Sequence, residues 1–368
     1  MSGNGLRVAF VWLLYLVVTF ISGAMFQLTL GKPNVGYFLL FILLLVMISY
    51  GTTAIHEIGH VIAGKLNGLK FRFIVIGPLF IQSKNGRLRI YRNIHARSVG
   101  GLTGMVVPDT HNLRRRLMLY VAGGPATNLL FAIIAAAGTL AFAHSTGNLL
   151  PVIFLSASLL SFATFMISIL PARTKGLTSD GQRIVDLLRN NPRAARWSAI
   201  IAIGAMYERG QRPRDWNPYL VQQVTLSPDE ALDYLTGLSL GYYYQLDSGQ
   251  VDAAGMWLDK IAGKLNHLAG VFRASFQLEL AYFTALHRRD AAKGRLWLNQ
   301  AAGRVDIAPD HAPACRSSCA ACRGQITRVP YQSNRRPCRT RSGTKYGIEG
   351  AGKRLTTRHH QPDQTVGP

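Results

Sequence analysis

Charge is the first thing this sequence lacks. Only 16% of its 368 residues are Asp, Glu, Lys or Arg, against about a quarter in ordinary soluble domains. The deficit is concentrated. Between Val8 and Ile55 the only charged side chain is Lys32, and from Leu117 to Ala172 there is none. A helix in water must turn one face to solvent, so runs of this length exclude a soluble globular chain and leave an integral membrane protein. Cysteine is also missing from nearly the whole chain. All four (Cys315, Cys319, Cys322 and Cys338) lie close to the C-terminus, which excludes a disulfide framework in the membrane part. Acidic residues are scarce, 18 against 41 Lys and Arg, for a net charge of +23. Residues 312–368 hold eleven Lys/Arg and two Asp/Glu, hence nine of those charges. The others fall in short basic loops, the mark of cytoplasmic loops in membrane proteins. The basic tail does not interleave basic residues with aromatics on one face, so nucleic acid is not an expected partner.

Four spans are legible. Residues 8–30 are long enough to cross a bilayer, at about 20 residues per crossing, and too long for the apolar region of a cleavable signal peptide. Gly31-Lys32-Pro33-Asn34 predicts a tight turn into a second span, which runs from Val35 into His56–His60. The stretch Leu117–Leu170 exceeds one crossing and is divided at His144–Asn148. Lys65 to Arg116 contains eleven Lys/Arg, the turn at 31–34 one, and the turn at 144–148 none. The positive-inside rule therefore places both termini and the 65–116 loop in the cytoplasm. Within that loop, residues 71–93 are rich in β-branched and aromatic residues, and Lys84-Asn85-Gly86-Arg87 offers a hairpin turn. A β-hairpin or small sheet at the membrane surface is expected, its edge open to an extended substrate segment. Deleting 71–93 is then expected to abolish cleavage and spare metal binding.

The chemistry sits in His56-Glu57-Ile58-Gly59-His60. Two histidines four apart on a helix lie on one face and can reach a single metal, with Glu57 placed to take a proton from water activated there. With ten histidines among 368 residues and few glutamates, chance supplies this pattern with a probability of roughly 0.4% by simple counting. Its place at the end of a membrane helix adds weight, because ionisable groups there are costly unless they serve a function. A catalytic zinc needs a third protein ligand. Asp180, before Gly181 and on the same membrane side, is a candidate for it, although an isolated Asp-Gly is also an ordinary turn. In Gly123-Gly124-Pro125-Ala126-Thr127-Asn128 the small residues predict close helix approach and a local break. Asn128 presents an amide there that serves packing, substrate positioning or both.

With HEIGH at 56–60, AGGPATNLL at 122–130 and LPARTKGLTSDG at 170–181, the sequence resembles the site-2 protease family of intramembrane zinc metalloproteases, peptidase family M50. The likeness covers roughly residues 36–190. It implies that His56, His60 and Asp180 bind one zinc ion, that Glu57 is the general base, and that the substrate is a membrane-anchored protein or peptide. Two departures stand out. Ser168 occupies the position three before Pro171 where the family usually has Asn, and the spacing from Pro171 to Asp180 is long.

Beyond Asp180 a helix is expected over Gln182–Arg189, then helical patterning to about 308. Residues 241–263 and 281–303 repeat at a period of 40, aligning Tyr242 with Tyr282, Leu246 with Leu286, Trp257 with Trp297 and Leu258 with Leu298. Such a pair looks like tetratricopeptide repeats, a docking module for a protein partner. After Ala312 the periodicity stops. CRSSCAAC has a spacing known from iron–sulfur proteins but lacks the large domain that accompanies it, so disorder or a shifted reading frame explains the tail better.

The expected fold is thus an α-helical polytopic membrane protein with about four transmembrane helices, a membrane-surface hairpin and a helical repeat region. Its expected divisions are an accessory helix and turn (1–34), a metalloprotease core (35–190), a tetratricopeptide-like cytoplasmic region (191–311) and a basic tail (312–368). The expected location is a bacterial plasma membrane. The rival reading is a proteolytically silent zinc-binding scaffold that recruits partners through its repeats. The presence of Glu57 argues against it, since a structural metal needs ligands and no base.

Overall fold

The computed structural model describes residues 3–302 except 31–33, 85, 93–99, 145–148, 175–176, 230 and 269. The tail with its four cysteines therefore lies outside the described residues, as do Asn85, Gly176, and parts of the turns expected at 31–34 and 144–148.

Among the described residues, four helices are long and apolar enough to cross a membrane. They are α1 (Gly3–Leu30), α2 (Val35–Leu66), α3 (Leu113–Ala141) and α4 (Leu150–Ile169). Their outward faces carry large bare side chains such as Trp12, Phe20, Leu43, Ile133 and Leu140. Water would not tolerate that surface and lipid requires it. The inward faces are built from small residues. Ala132 and Ala135 of α3 and Ala157 and Ala163 of α4 are buried, and Ser158 and Ser161 of α4 donate to the α3 carbonyls of Ala132 and Asn128. Close approach of this kind replaces the hydrophobic drive that lipid does not supply. Helix α1 packs on α4 through Val18, Leu160 and Ala163, and sets Phe26 against Phe41 of α2 with the ring centroids 5.1 Å apart and the rings tilted. The break expected at Gly123–Pro125 does not occur. Helix α3 runs through Pro125 without interruption, because these residues are spent on contact with α2.

Helix α2 has 32 residues, or roughly 48 Å at about 1.5 Å per residue, against a hydrocarbon thickness of roughly 30 Å. It begins at an Asn34 cap that accepts from the Tyr37 amide at 2.9 Å. It stops where Gly68 takes φ +74°. The chain then enters strands β1 (Lys70–Ile76), β2 (Leu79–Lys84), β3 (Arg87–Arg92) and β4 (Gly101–Val106). The expected hairpin is the outer part of a four-stranded antiparallel sheet of order β3-β2-β1-β4. Lys84 pairs with Arg87 and Gly86 has φ +74°, the left-handed value that a two-residue hairpin turn demands. The strand missing from the expectation is β4, which pairs with β1 and lies against α2.

After α4 a short ladder, β5 (Arg173–Thr174) with β6 (Leu177–Thr178), leads into α5 (Asp180–Arg189). Helix α5 begins two residues earlier than expected, at a Ser179 cap whose hydroxyl accepts from the Gln182 amide. Helices α6 (Pro192–Glu208) and α7 (Pro218–Gln223) follow, then two helix pairs: α8 (Leu232–Asp247) with α9 (Val251–Ala262), and α10 (Gly270–Leu286) with α11 (Ala291–Ala302). They share a core of Leu235, Leu238, Tyr242, Leu258, Ile261, Leu280 and Phe283. The period of 40 is thus a repeat of helix pairs, yet equivalent positions differ in burial. Leu258 is 1% exposed and Leu298 43%. Buried Arg196 ties α6 to the turn before α8, bonding the Leu226 and Ser227 carbonyls and Asp229.

Candidate metal centre

Three elements distant in sequence meet at the C-terminal part of α2. His56 and His60 lie one helical turn apart and are buried. Asp180, the first residue of α5, reaches them across 124 positions of sequence. The distances are 3.1 Å from Asp180 Oδ2 to His56 Nε2, 3.6 Å to His60 Nε2, and 3.2 Å between the two nitrogens. A tetrahedral zinc with ligands at about 2.05 Å would hold its donors about 3.35 Å apart, close to all three. The protonation pattern agrees. His60 Nδ1 lies 3.0 Å from the Tyr120 carbonyl, and in the neutral tautomer that donates there Nε2 presents a lone pair. Two ring lone pairs and a carboxylate oxygen converging at these distances repel one another unless a cation lies between them. The residues therefore fit a single divalent metal. Asp180 stands in the first turn of α5, where the helix end favours a negative charge.

Asn128, fully buried, faces His56 rather than open space. Its amide stands 3.1 Å from His56 Nδ1, and Ser161 donates to its other end at 3.3 Å. Rotating the amide by 180° gives Nδ1–H an oxygen and Ser161 an N–H, the arrangement a metal-facing His56 Nε2 requires.

Glycines let these helices meet. A Cβ built on Gly124 would fall 2.7 Å from His56 Nε2 and 2.6 Å from His60 Cε1. One on Gly123 would meet Ala63 and the Gly59 backbone, and one on Gly181 would meet the Ile169 carbonyl. Ser168 does not approach the centre; its hydroxyl donates to the Phe165 carbonyl of its own helix at 3.1 Å.

Glu57 is buried beside β4, where Thr103 Oγ1 donates to its Oε2 at 2.6 Å. Tyr120, whose carbonyl faces His60, donates its hydroxyl to the Thr103 carbonyl at 2.6 Å. Sequence reading passed over Thr103, Tyr120 and Ser179; for Ser179 the Ser-Asp-Gly cap pattern was the available signal. Asp186 pins the segment between α4 and α5, accepting from Arg173, Gln182 and Asn191. Arg114 of α3 grips the other end of α5 through the Leu187 and Leu188 carbonyls.

Compared with known families, the sequence matches the family described as Peptidase family M50 over residues 37–319. No curated protein and no solved structure matches it.

Proposed function

The chain belongs to peptidase family M50, whose members are membrane zinc metalloproteases, and from that premise we propose a zinc-dependent intramembrane endopeptidase. It hydrolyses a peptide bond in or beside a transmembrane segment of a membrane-anchored protein. The observation that carries this reading is the meeting of His56, His60 and Asp180 at tetrahedral spacing with Glu57 on the same helix turn. A scaffold metal would need the three ligands but not the carboxylate.

His56, His60 and Asp180 hold the ion, with Tyr120 and Asn128 orienting the two rings. When bound there, zinc polarises the scissile carbonyl and makes water acidic enough to ionise near neutral pH. Glu57 accepts the proton of the attacking water and delivers it to the leaving amine. Asp180 is partly exposed, so water reaches the centre from the α5 side. The scissile segment must be extended, since helical backbone is closed by its own hydrogen bonds. It adds as a strand at a sheet edge. Because β1 is an inner strand paired to β4, removing residues 71–93 would dismantle the support of Glu57. Replacing only 79–92 with a short turn tests the hairpin cleanly.

The working division is an accessory α1, a core over 35–190 and a tetratricopeptide-like docking region made from the two helix pairs. Loop charge supports cytoplasmic termini, and the membrane we propose is a bacterial plasma membrane. The test compares Glu57→Gln with wild type in whole membranes. We expect both to bind one zinc per chain and only the variant to accumulate an uncleaved membrane precursor. Equal precursor levels would remove the protease reading.

A further inference from the structure

We propose that strand β4 aims the catalytic base, with Thr103 and Gly101 as positioning residues for Glu57. The inference rests on the hydrolytic reading above and concerns how its base is held. A glutamate carboxylate has a broad terminal torsion and, left alone, samples many orientations. Here each of its oxygens meets a different device on one face of β4. Residues 101 and 103 are two apart in the strand, so their side-chain positions share the face that carries buried Ile74 and half-buried Ile76 on β1. Thr103 Oγ1 donates to Oε2 at 2.6 Å and lies 3.3 Å from the Glu57 carbonyl. At Gly101 the absent side chain is what matters. A Cβ there would stand 2.5 Å from Oε1 and 3.1 Å from Thr53 Cγ2, so only glycine leaves Oε1 its place.

The hydroxyl has one proton. The short contact with Oε2 takes it, and Oε1 is left as the stronger proton acceptor. A base with two equivalent, rotating oxygens thereby becomes one with a single working atom at a defined place. The strand is itself fixed from the metal side, because the Tyr120 hydroxyl donates to the Thr103 carbonyl while the Tyr120 carbonyl faces His60. One residue of α3 thus ties the position of β4 to that of a metal ligand. Neither Thr103 nor Gly101 belongs to a local sequence pattern. Their role arises from the pairing of β1 with β4.

The test uses the full chain in detergent or nanodiscs with Thr103→Val, which keeps shape and loses the hydroxyl, and Thr103→Ser, which restores it. Glu57→Gln is the reference. The probe is a quenched-fluorescence peptide built on an apolar transmembrane segment. Supporting residues of this kind carry about 10- to 100-fold in activity. Thr103→Val should therefore lose that much kcat with KM, zinc content and melting temperature unchanged, and Thr103→Ser should recover most of it. A second readout needs no turnover. With cobalt(II) in place of zinc, the visible spectrum of Thr103→Val should move toward that of Glu57→Gln, and that of Thr103→Ser should match wild type. If Thr103→Val equals wild type in spectrum and kcat while Glu57→Gln differs, the β4 inference alone falls. If Glu57→Gln also equals wild type, or if no metal binds, the hydrolytic reading falls and takes this inference with it.

Discussion

Replacing Gly124 by alanine adds a single methyl group, yet that group would fall directly on the two histidine rings of the metal centre. The new Cβ would lie 2.6 Å from His60 Cε1 and 2.7 Å from His56 Nε2. Normal carbon–nitrogen contact is about 3.5 Å or more, so the rings must retreat by roughly 0.8–1 Å. They have little room to do so. Helix α3 cannot back away because Gly123 and Gly59 hold the two backbones together, and His60 is anchored to Tyr120. A zinc–nitrogen bond is only about 2.0–2.1 Å long and tolerates errors of about 0.2 Å. The predicted result is loss of stoichiometric zinc and at least a 100-fold loss of turnover, with about 1–3 kcal/mol of stability lost to overpacking. Metal content by mass spectrometry on purified chain, melting temperature and precursor cleavage would be read together. Gly51→Ala on α2 is the control. Its Cβ meets nothing within 4 Å, so it should be neutral or stabilising by up to about 1 kcal/mol through helix propensity. A Gly124→Ala chain that keeps one zinc and wild-type turnover would refute the geometry of the centre.

Other expectations follow from the same contacts. Asp180→Asn should lower zinc affinity at least tenfold without unfolding the chain, measured by competition with a chelator; undiminished affinity would remove Asp180 from the ligand set. Stripping the metal with a chelator should stop turnover and adding zinc should restore it, whereas activity that survives the treatment would exclude metal-assisted hydrolysis. Arg196→Met should destabilise the helical region by roughly 2–4 kcal/mol by leaving Asp229 short of its buried partner. Burial opposes ionisation of Asp229, but Arg196 outweighs it and holds its carboxyl below the ordinary range. A lowered folded value means the stabilisation is complete above the unfolded value of about 4 and is lost as pH falls through the folded one. Melting temperature should therefore be insensitive to Asp229 between pH 5 and 8, by this reasoning about ordinary carboxylates, and should fall below about pH 4, more steeply than in Arg196→Met.

The four spans and the His56–His60 pair were legible because they depend on local pattern alone, through apolar length in one case and helical periodicity in the other. Asp180 was legible as a candidate from loop charge, and family likeness raised it further. What stayed hidden depends on pairing over distance. Strand β4 is short, and Gly101-Leu102-Thr103 reads as loop until β1 is laid beside it. Gly124 reads as a packing residue until α2 shows which side chains it packs against. Asn128 was expected to face substrate or the neighbouring helices, and its contact is the ring of a metal-ligand candidate. The repeat at 40 residues falls on two helix pairs, α8 with α9 and α10 with α11. It could not foresee that Phe283, not Tyr282, fills the core beside Tyr242.

Helix α5 has a consequence beyond the centre it completes. Asp180 stands at its head. One turn on, Arg183 clasps Asp233 of α8 at 2.5 and 2.9 Å and lies 4.4 Å over the Trp197 ring of α6. The far end is pinned by Arg114 at the Leu187 carbonyl, roughly 10 Å from Asp180 at about 1.5 Å per residue. That is a lever with a fixed fulcrum. A swing of about 5° about the pin carries the carboxylate almost 1 Å, enough by the distance tolerance of a metal bond to unmake a ligand. A displacement of α6 or α8 would therefore reach the Asp180 carboxylate through α5 alone, by way of Arg183.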